Sequence, residues 1–156
     1  MFIKIFISVL ILLISTSNVL PSSNLYISAI VNDQVITNFD IQKEKSYLLI
    51  LNPNLSDLSN EKVLKIAKNS LINETIKKKE LIKFFNLDKD IEFLNQVKKD
   101  LYSRLNLKSE KEFKNLLINK KTYSLKEINY KLKIEILWNE LIFKKYKDQV
   151  RIDENQ

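Results

Sequence analysis

Cysteine, histidine and glycine are all absent from this 156-residue chain. Without cysteine or histidine the chain can form no disulfide, no thiol nucleophile, no Cys/His zinc site and no imidazole general base. Without glycine it has no phosphate-binding loop of the P-loop or dinucleotide type. These absences exclude most catalytic designs. The 19 acidic residues leave a carboxylate pair possible by composition, but nothing in their spacing singles out two of them, so we predict no catalytic residue, no cofactor and no metal site.

Arginine is scarce, occurring only at Arg104 and Arg151, although the formal net charge is +7. A charge of this size can attract nucleic acid or anionic lipid. The lysines, however, are interleaved with Glu and Asp, and no block of five or six like charges occurs. Arginine, the preferred side chain for reading bases, is nearly missing. We interpret the lysines as solvated helix faces and expect no nucleic-acid partner.

The start of the chain has the pattern of an export signal. One positive charge in residues 1–4 precedes an apolar run over residues 5–14, and small residues follow at 15–17. The run is shorter than the roughly 20 apolar residues of a spanning helix. We predict a secretory signal peptide over residues 1–23, cleaved near 17–23, and hence a periplasmic protein. An uncleaved inner-membrane anchor is the alternative.

The rest of the chain, residues 24–156, has the size of one modest domain. An alternating β-rich stretch, a turn-forming Asn-Asp pair and a Thr-x-x-Asp cap predict a hairpin that leads into a first helix. Hydrophobic periodicity and further caps predict four more helices. The predicted fold is mainly α, a short N-terminal β-hairpin followed by a five-helix bundle. The predicted strands cover 25–31 and 34–36, and the predicted helices cover 37–51, 60–85, 88–105, a short stretch from 109 and finally 124–147.

Two finer predictions concern the helix ends and the core. Asn86 is expected to adopt the left-handed conformation that glycine usually supplies after a helix. The last helix carries two apolar stripes, so it is expected to lie at the centre of the bundle with Trp138 in the core.

Four segments of the chain together carry a resemblance to a known family. The first is 31–41, at the hairpin and the start of the first helix, and the second is Leu-Ile-Asn-Glu-Thr-Ile at 71–76. The third is Phe-Phe-Asn-Leu at 84–87, and the fourth is Tyr-Ser-Leu-Lys-Glu at 123–127 followed by Lys-Ile-Glu-Ile-Leu at 133–137. In this order and spacing they resemble the N-terminal module of the SurA-type periplasmic chaperones, of the parvulin-like foldase family. The resemblance implies a SurA N-terminal, peptide-binding type of bundle. Relatives continue into parvulin domains, which are absent here, so we expect no prolyl isomerase activity.

The resemblance implies a non-catalytic holdase chaperone that binds unfolded outer-membrane proteins through an apolar groove. Such clients expose alternating apolar and aromatic residues until they insert. A holdase therefore needs an exposed apolar surface with a polar rim. The candidate peptide-binding residues are on or near the shorter helices and their junctions: Phe93, Phe113, Tyr123 and Tyr130. The alternative for Phe93 and Phe113 is that both simply fill the core.

Partners other than clients also follow from the resemblance. Relatives carry a C-terminal segment that packs back onto this module, and this chain lacks it. We therefore expect an uncovered apolar face and an open edge on the strand at 25–31, covered either by a homodimer or by a separate partner. The rival function is that of a membrane-anchored structural or interaction protein of the envelope.

Overall fold

The protein is described here by a computed structural model that covers residues 24–147. Within these residues a β-hairpin precedes five α-helices, which confirms the predicted mainly α fold with its N-terminal hairpin. The predicted signal peptide over 1–23 lies outside the described residues. The strands are β1 (Ile27–Val31) and β2 (Gln34–Thr37), and the helices are α1 (Asn38–Leu51), α2 (Asn60–Leu81), α3 (Leu94–Arg104), α4 (Glu110–Asn119) and α5 (Leu125–Tyr146), with a 3-10 helix (Pro53–Asp57) between α1 and α2.

The hairpin turn follows from the conformational tolerance of two residues. Asn32 and Asp33 have φ angles of 49° and 66°, and the flanking residues Val31 and Gln34 pair across the turn. Asn and Asp are the residues other than glycine that adopt positive φ most readily, so the predicted turn is confirmed. Within residues 24–147 the sheet has two strands, and each strand keeps one edge without a strand neighbour.

Two reciprocal capping boxes fix where α1 and α5 begin. Thr37 Oγ1 accepts a hydrogen bond from the Asp40 amide at 3.2 Å, and Asp40 Oδ2 accepts one from the Thr37 amide at 2.8 Å. Ser124 and Glu127 form the same arrangement before α5, at 3.3 Å and 2.7 Å. Each box satisfies two backbone donors that a helix start would leave unpaired, so both predicted starts are confirmed.

The segment between α2 and α3 differs from the prediction. The second helix ends at Leu81 rather than at residue 85, and α3 begins at Leu94 rather than at 88. Turns fill the gap, and two of its carbonyls accept hydrogen bonds from the buried Lys133 Nζ instead of from helical amides. These long-range hydrogen bonds stabilise the turns after α2, part of which the local pattern predicts as helix.

The left-handed residue predicted at Asn86 was also wrong. Positive φ occurs instead after α3 and α4, at Asn106 (56°) and Lys121 (49°). Because α2 has already ended, Asn86 caps nothing, and its Oδ1 accepts a hydrogen bond from the Asp88 amide at 2.9 Å.

Helix α5 connects the two larger parts of the core. Its Ile128 is fully buried in a cluster built with α1, α3 and α4, whereas Ile134 and Leu137 belong to a second cluster beside the end of α2. The predicted central position of the last helix is therefore confirmed. The hairpin contributes to a third cluster through Ile36, which packs with α1 and α2. No helix within residues 24–147 is long and apolar enough to cross a membrane.

Lys121 gives a test of the backbone conformation, because it holds a positive φ with a bulky side chain. We expect Lys121→Gly to raise the free energy of unfolding by about 0.5–1 kcal/mol, since glycine adopts this conformation without a Cβ clash. Lys120 precedes it at φ −87°, so Lys120→Gly is the matched control and is expected to be destabilising. Urea unfolding followed by circular dichroism measures both. A loss of stability in Lys121→Gly as large as in the control contradicts the prediction.

Candidate functional site

An open groove of about 1020 Å³ lies between α2 and the second half of α5. The turn after α2 forms one of its sides. The groove is lined mainly by aromatic and aliphatic side chains, and several of them are exposed, with Phe84 the most at 60%. We call this surface the lysine-rimmed groove. Its apolar lining residues are Ile76, Phe84, Phe85, Trp138, Leu141, Ile142 and Tyr146.

Helical spacing explains how these residues come to share one surface. On α5, Trp138, Leu141 and Ile142 stand at i, i+3 and i+4, which places them on one face. Phe85, Trp138 and Leu141 pack against the buried cluster of Leu81 and its neighbours. The floor of the groove is thus the outer layer of the core, and the core holds it in place.

Lysines form the rim of the groove. Lys79 Nζ donates a hydrogen bond to Asn32 Oδ1 at the hairpin turn, at 3.1 Å. Lys144 Nζ lies 5.6 Å from the centre of the Phe85 ring and also pairs with Glu140. Such side chains cover apolar surface with their methylene groups while their charged ends stay in water. The rim lysines are Lys79, Lys83, Lys144 and Lys145.

A second cavity of about 840 Å³, which we call the polar cleft, lies between β2, α2, the turns after α2 and the start of α5. Charged side chains occur along its whole lining. They include Glu74, Lys131 and Lys133, beside the aromatic rings of Tyr123 and Tyr130.

Beneath the polar cleft lies a buried ionic cluster centred on Glu44. This α1 carboxylate is 1% exposed, and it accepts hydrogen bonds from Ser70 Oγ and from the Tyr123 hydroxyl, both at 2.7 Å. Lys131 Nζ lies 2.9 Å from it and also pairs with Glu74. Burial raises the pKa of Tyr123, and the negative charge of Glu44 raises it further, so this tyrosine stays a hydrogen-bond donor.

The members of the ionic cluster are engaged with one another. Its carboxylate Glu44 already has three partners, and Lys131 Nζ is shared between two carboxylates and lies 4.6 Å from the centre of the Tyr123 ring. Glu44 is also 1% exposed and does not line the polar cleft, so a ligand in the cleft does not reach it. Among residues 24–147 no group of three or more acidic side chains is arranged to hold a metal ion.

The four residues predicted to bind peptide lie in three different environments. Tyr123 and Tyr130 both line the polar cleft, but Tyr123 is only 8% exposed and its hydroxyl is engaged by Glu44. Phe113 is fully buried, so it fills the core, as the alternative held, and a client cannot reach it. Phe93 is 59% exposed, so it is not a core residue, yet it lines neither cavity.

The sequence prediction missed the residues that build the lysine-rimmed groove. Trp138 was expected in the core, but it is only partly buried and lines the groove. Phe84 was expected at the end of a longer helix, where its exposure could not be inferred. The spacing of Trp138, Leu141 and Ile142 already places these residues on one helix face, and this face continues to Lys145. That pattern could have indicated the groove from the sequence.

Removing Lys131 tests the buried ionic cluster. We expect Lys131→Met to lower the free energy of unfolding by about 3 kcal/mol, because Glu44 would stay buried without its cation. The control is Lys77→Met, which breaks a pair with the half-exposed Glu135. That loss is expected to stay below about 1 kcal/mol. Chemical denaturation measures the free energy of unfolding of both variants. Equal losses in the two would show that the burial of Glu44 does not increase the cost of removing its cation.

Glu127 gives the fold a dependence on acid pH. Burial alone raises its pKa, but hydrogen bonds from Lys43 and Ser124 outweigh burial and lower the pKa from 4.5 to about 2. Its stabilising contribution is therefore complete above pH 4.5 and is lost as pH falls towards 2. We expect the Glu127→Gln variant to lose less stability over this range than the unmodified chain.

The exposure of Glu127 sets the expected size of this pH effect, and Ser124 provides a control. Because its side chain is 47% exposed, the difference is expected to stay below about 1 kcal/mol. Ser124→Ala removes one of the hydrogen bonds and is expected to give an intermediate result. Thermal unfolding at a series of pH values measures all three proteins. Identical acid profiles for the unmodified chain and Glu127→Gln contradict the assignment.

The chain matches no protein-family model, no curated protein and no solved structure. The SurA-type relationship therefore stays a prediction that rests on the four sequence segments. What the structure adds is independent of it: a mainly helical fold behind a hairpin, an exposed apolar groove and a buried ionic cluster.

Proposed function

We propose that this chain is a non-catalytic holdase chaperone of the periplasm, which binds unfolded outer-membrane proteins. The observation that carries the proposal is the lysine-rimmed groove, with aromatic side chains left exposed on a floor that the core supports. Exposed apolar surface costs solubility, so a contiguous patch of it generally marks an interaction site. The resemblance of the four sequence segments to SurA-type chaperones supports the same function.

The length of the groove suits an extended chain. From Trp138 to Tyr146 the α5 axis advances by about 12 Å, at roughly 1.5 Å per residue. Side chains on one face of an extended strand follow one another at about 7 Å. The groove thus accepts two or three alternate side chains of a client, while the side chains between them face water. Unfolded β-barrel segments have this alternation.

The rim explains how such a surface stays soluble. Four lysines surround the apolar floor, so two grooves that approach each other are separated by like charge. Binding of an apolar client segment removes floor and ligand surface from water together, and this provides the driving force.

Two equally exposed phenylalanines allow a matched test. Phe84 is 60% exposed and lines the groove, whereas Phe93 is 59% exposed and lies outside it. We expect the chain over residues 24–156 to suppress aggregation of an unfolded outer-membrane barrel protein. Phe84→Ser is expected to weaken suppression several-fold, while Phe93→Ser retains it. Light scattering during dilution of the client from urea measures the effect.

The outcomes of this test are distinct. Failure of the unmodified chain to suppress aggregation at a several-fold excess would overturn the holdase proposal. Loss of suppression in Phe93→Ser, with Phe84→Ser unaffected, would place the client site at Phe93, as the sequence predicted. Circular dichroism spectra of both variants check that the fold is kept.

A further inference from the structure

The charges around the lysine-rimmed groove are unbalanced. Four of its lining residues are lysines, and Glu80 is the only acidic one. The composition of the whole chain does not explain this surplus, because the polar cleft is lined by more acidic side chains than lysines. The groove therefore carries a local surplus of positive charge beside its apolar floor.

The lysines of the rim differ in how they are neutralised. Lys83 and Lys144 pair with Glu80 and Glu140, each within one helical turn on the exposed surface. Lys79 donates to the neutral amide of Asn32, and Lys145 Nζ lies 5.6 Å from the centre of the Tyr146 ring. Within residues 24–147 no carboxylate pairs with either Lys79 or Lys145.

These two lysines belong to the two helices that line the groove. Lys79 belongs to α2 and Lys145 belongs to α5, and both line the groove together with its aromatic side chains. A ligand that fills the floor brings its flanking residues next to both lysines. Carboxylates there gain two ion pairs at the margin of an apolar surface, whereas lysines there meet like charge.

We propose that the groove selects client segments in which an apolar and aromatic core is flanked by Asp or Glu. This inference rests on the proposed function, since it names the chemistry of the client that the same groove binds. The apolar floor supplies most of the affinity, and Lys79 and Lys145 supply the preference among clients.

The single tryptophan provides the measurement. Trp138 is the only tryptophan in the chain and lines the groove, so its fluorescence reports occupancy directly. The probes are three synthetic peptides without tryptophan that share one alternating apolar and aromatic core and carry flanks of Glu, Gln or Lys. At low ionic strength we expect the Glu-flanked peptide to bind about tenfold more tightly than the Lys-flanked one. The difference is expected to shrink in about 1 M salt, where screening is strong.

A pair of double variants separates local from overall charge. Lys79→Gln with Lys145→Gln is expected to bring the Glu-flanked and Lys-flanked peptides within about twofold of each other. Lys111→Gln with Lys114→Gln removes the same charge from exposed positions on α4, outside the groove, and is expected to keep the preference.

Each result bears on one proposal or the other. Equal affinities of the three peptides for the unmodified chain, or an equal loss of preference in both double variants, would overturn the selectivity while leaving the holdase proposal intact. Absence of binding by all three peptides would overturn the groove as a client site. A preference for the Lys-flanked peptide would also contradict the selectivity.

Discussion

The buried contact between Glu44 and Lys131 is the interaction on which the arrangement of the helices depends. Removing a carboxylate and an ammonium group from water costs several kcal/mol each, and their attraction offsets this only with further hydrogen bonds. Ser70 and Tyr123 supply those bonds, at 2.7 Å each. Because Glu44 belongs to α1, Ser70 to α2 and Lys131 to α5, the cluster is complete in only one relative position of three helices. Apolar packing alone would tolerate several positions.

Lys133, a lysine buried on α5, links the bundle to the turns that line the groove. Lys133 stands two residues after Lys131 on α5, and its Nζ donates to the carbonyls of Leu87 and Lys89 at 3.0 Å and 2.8 Å. Because its partners are backbone carbonyls and not a carboxylate, Lys133 holds the backbone of the turns between α2 and α3 in place. Those turns carry Phe84 and Phe85 into the groove. The helix that orders the bundle through Lys131 therefore also shapes the exposed apolar surface through Lys133 on another of its faces.

The sequence predicted those features that depend on neighbouring residues. The Asn32-Asp33 turn and the caps at Thr37 and Ser124 are decided by hydrogen bonds and φ preferences within four residues, and all three are present. The turns after α2 are held by Lys133, which lies more than forty positions further along the chain and donates to the carbonyls of Leu87 and Lys89, and no local pattern contains that information. The same holds for aromatic exposure. Phe113 and Phe93 have similar local surroundings in sequence, yet tertiary packing buries the first completely and leaves the second exposed.

The groove combines a floor that packs on the core with a rim of long lysine side chains, and this combination suits the reversible holding that we propose. Trp138 and Leu141 pack on buried neighbours, so a ligand meets a surface that needs little rearrangement. The rim consists of lysines, whose long side chains lose rotamer entropy when they are fixed in an ion pair. In the proposed holdase, preorganised apolar contact would give affinity for many segments, while the entropic cost at the rim would limit how tightly any one of them is held. A chaperone that must release its client intact needs both properties.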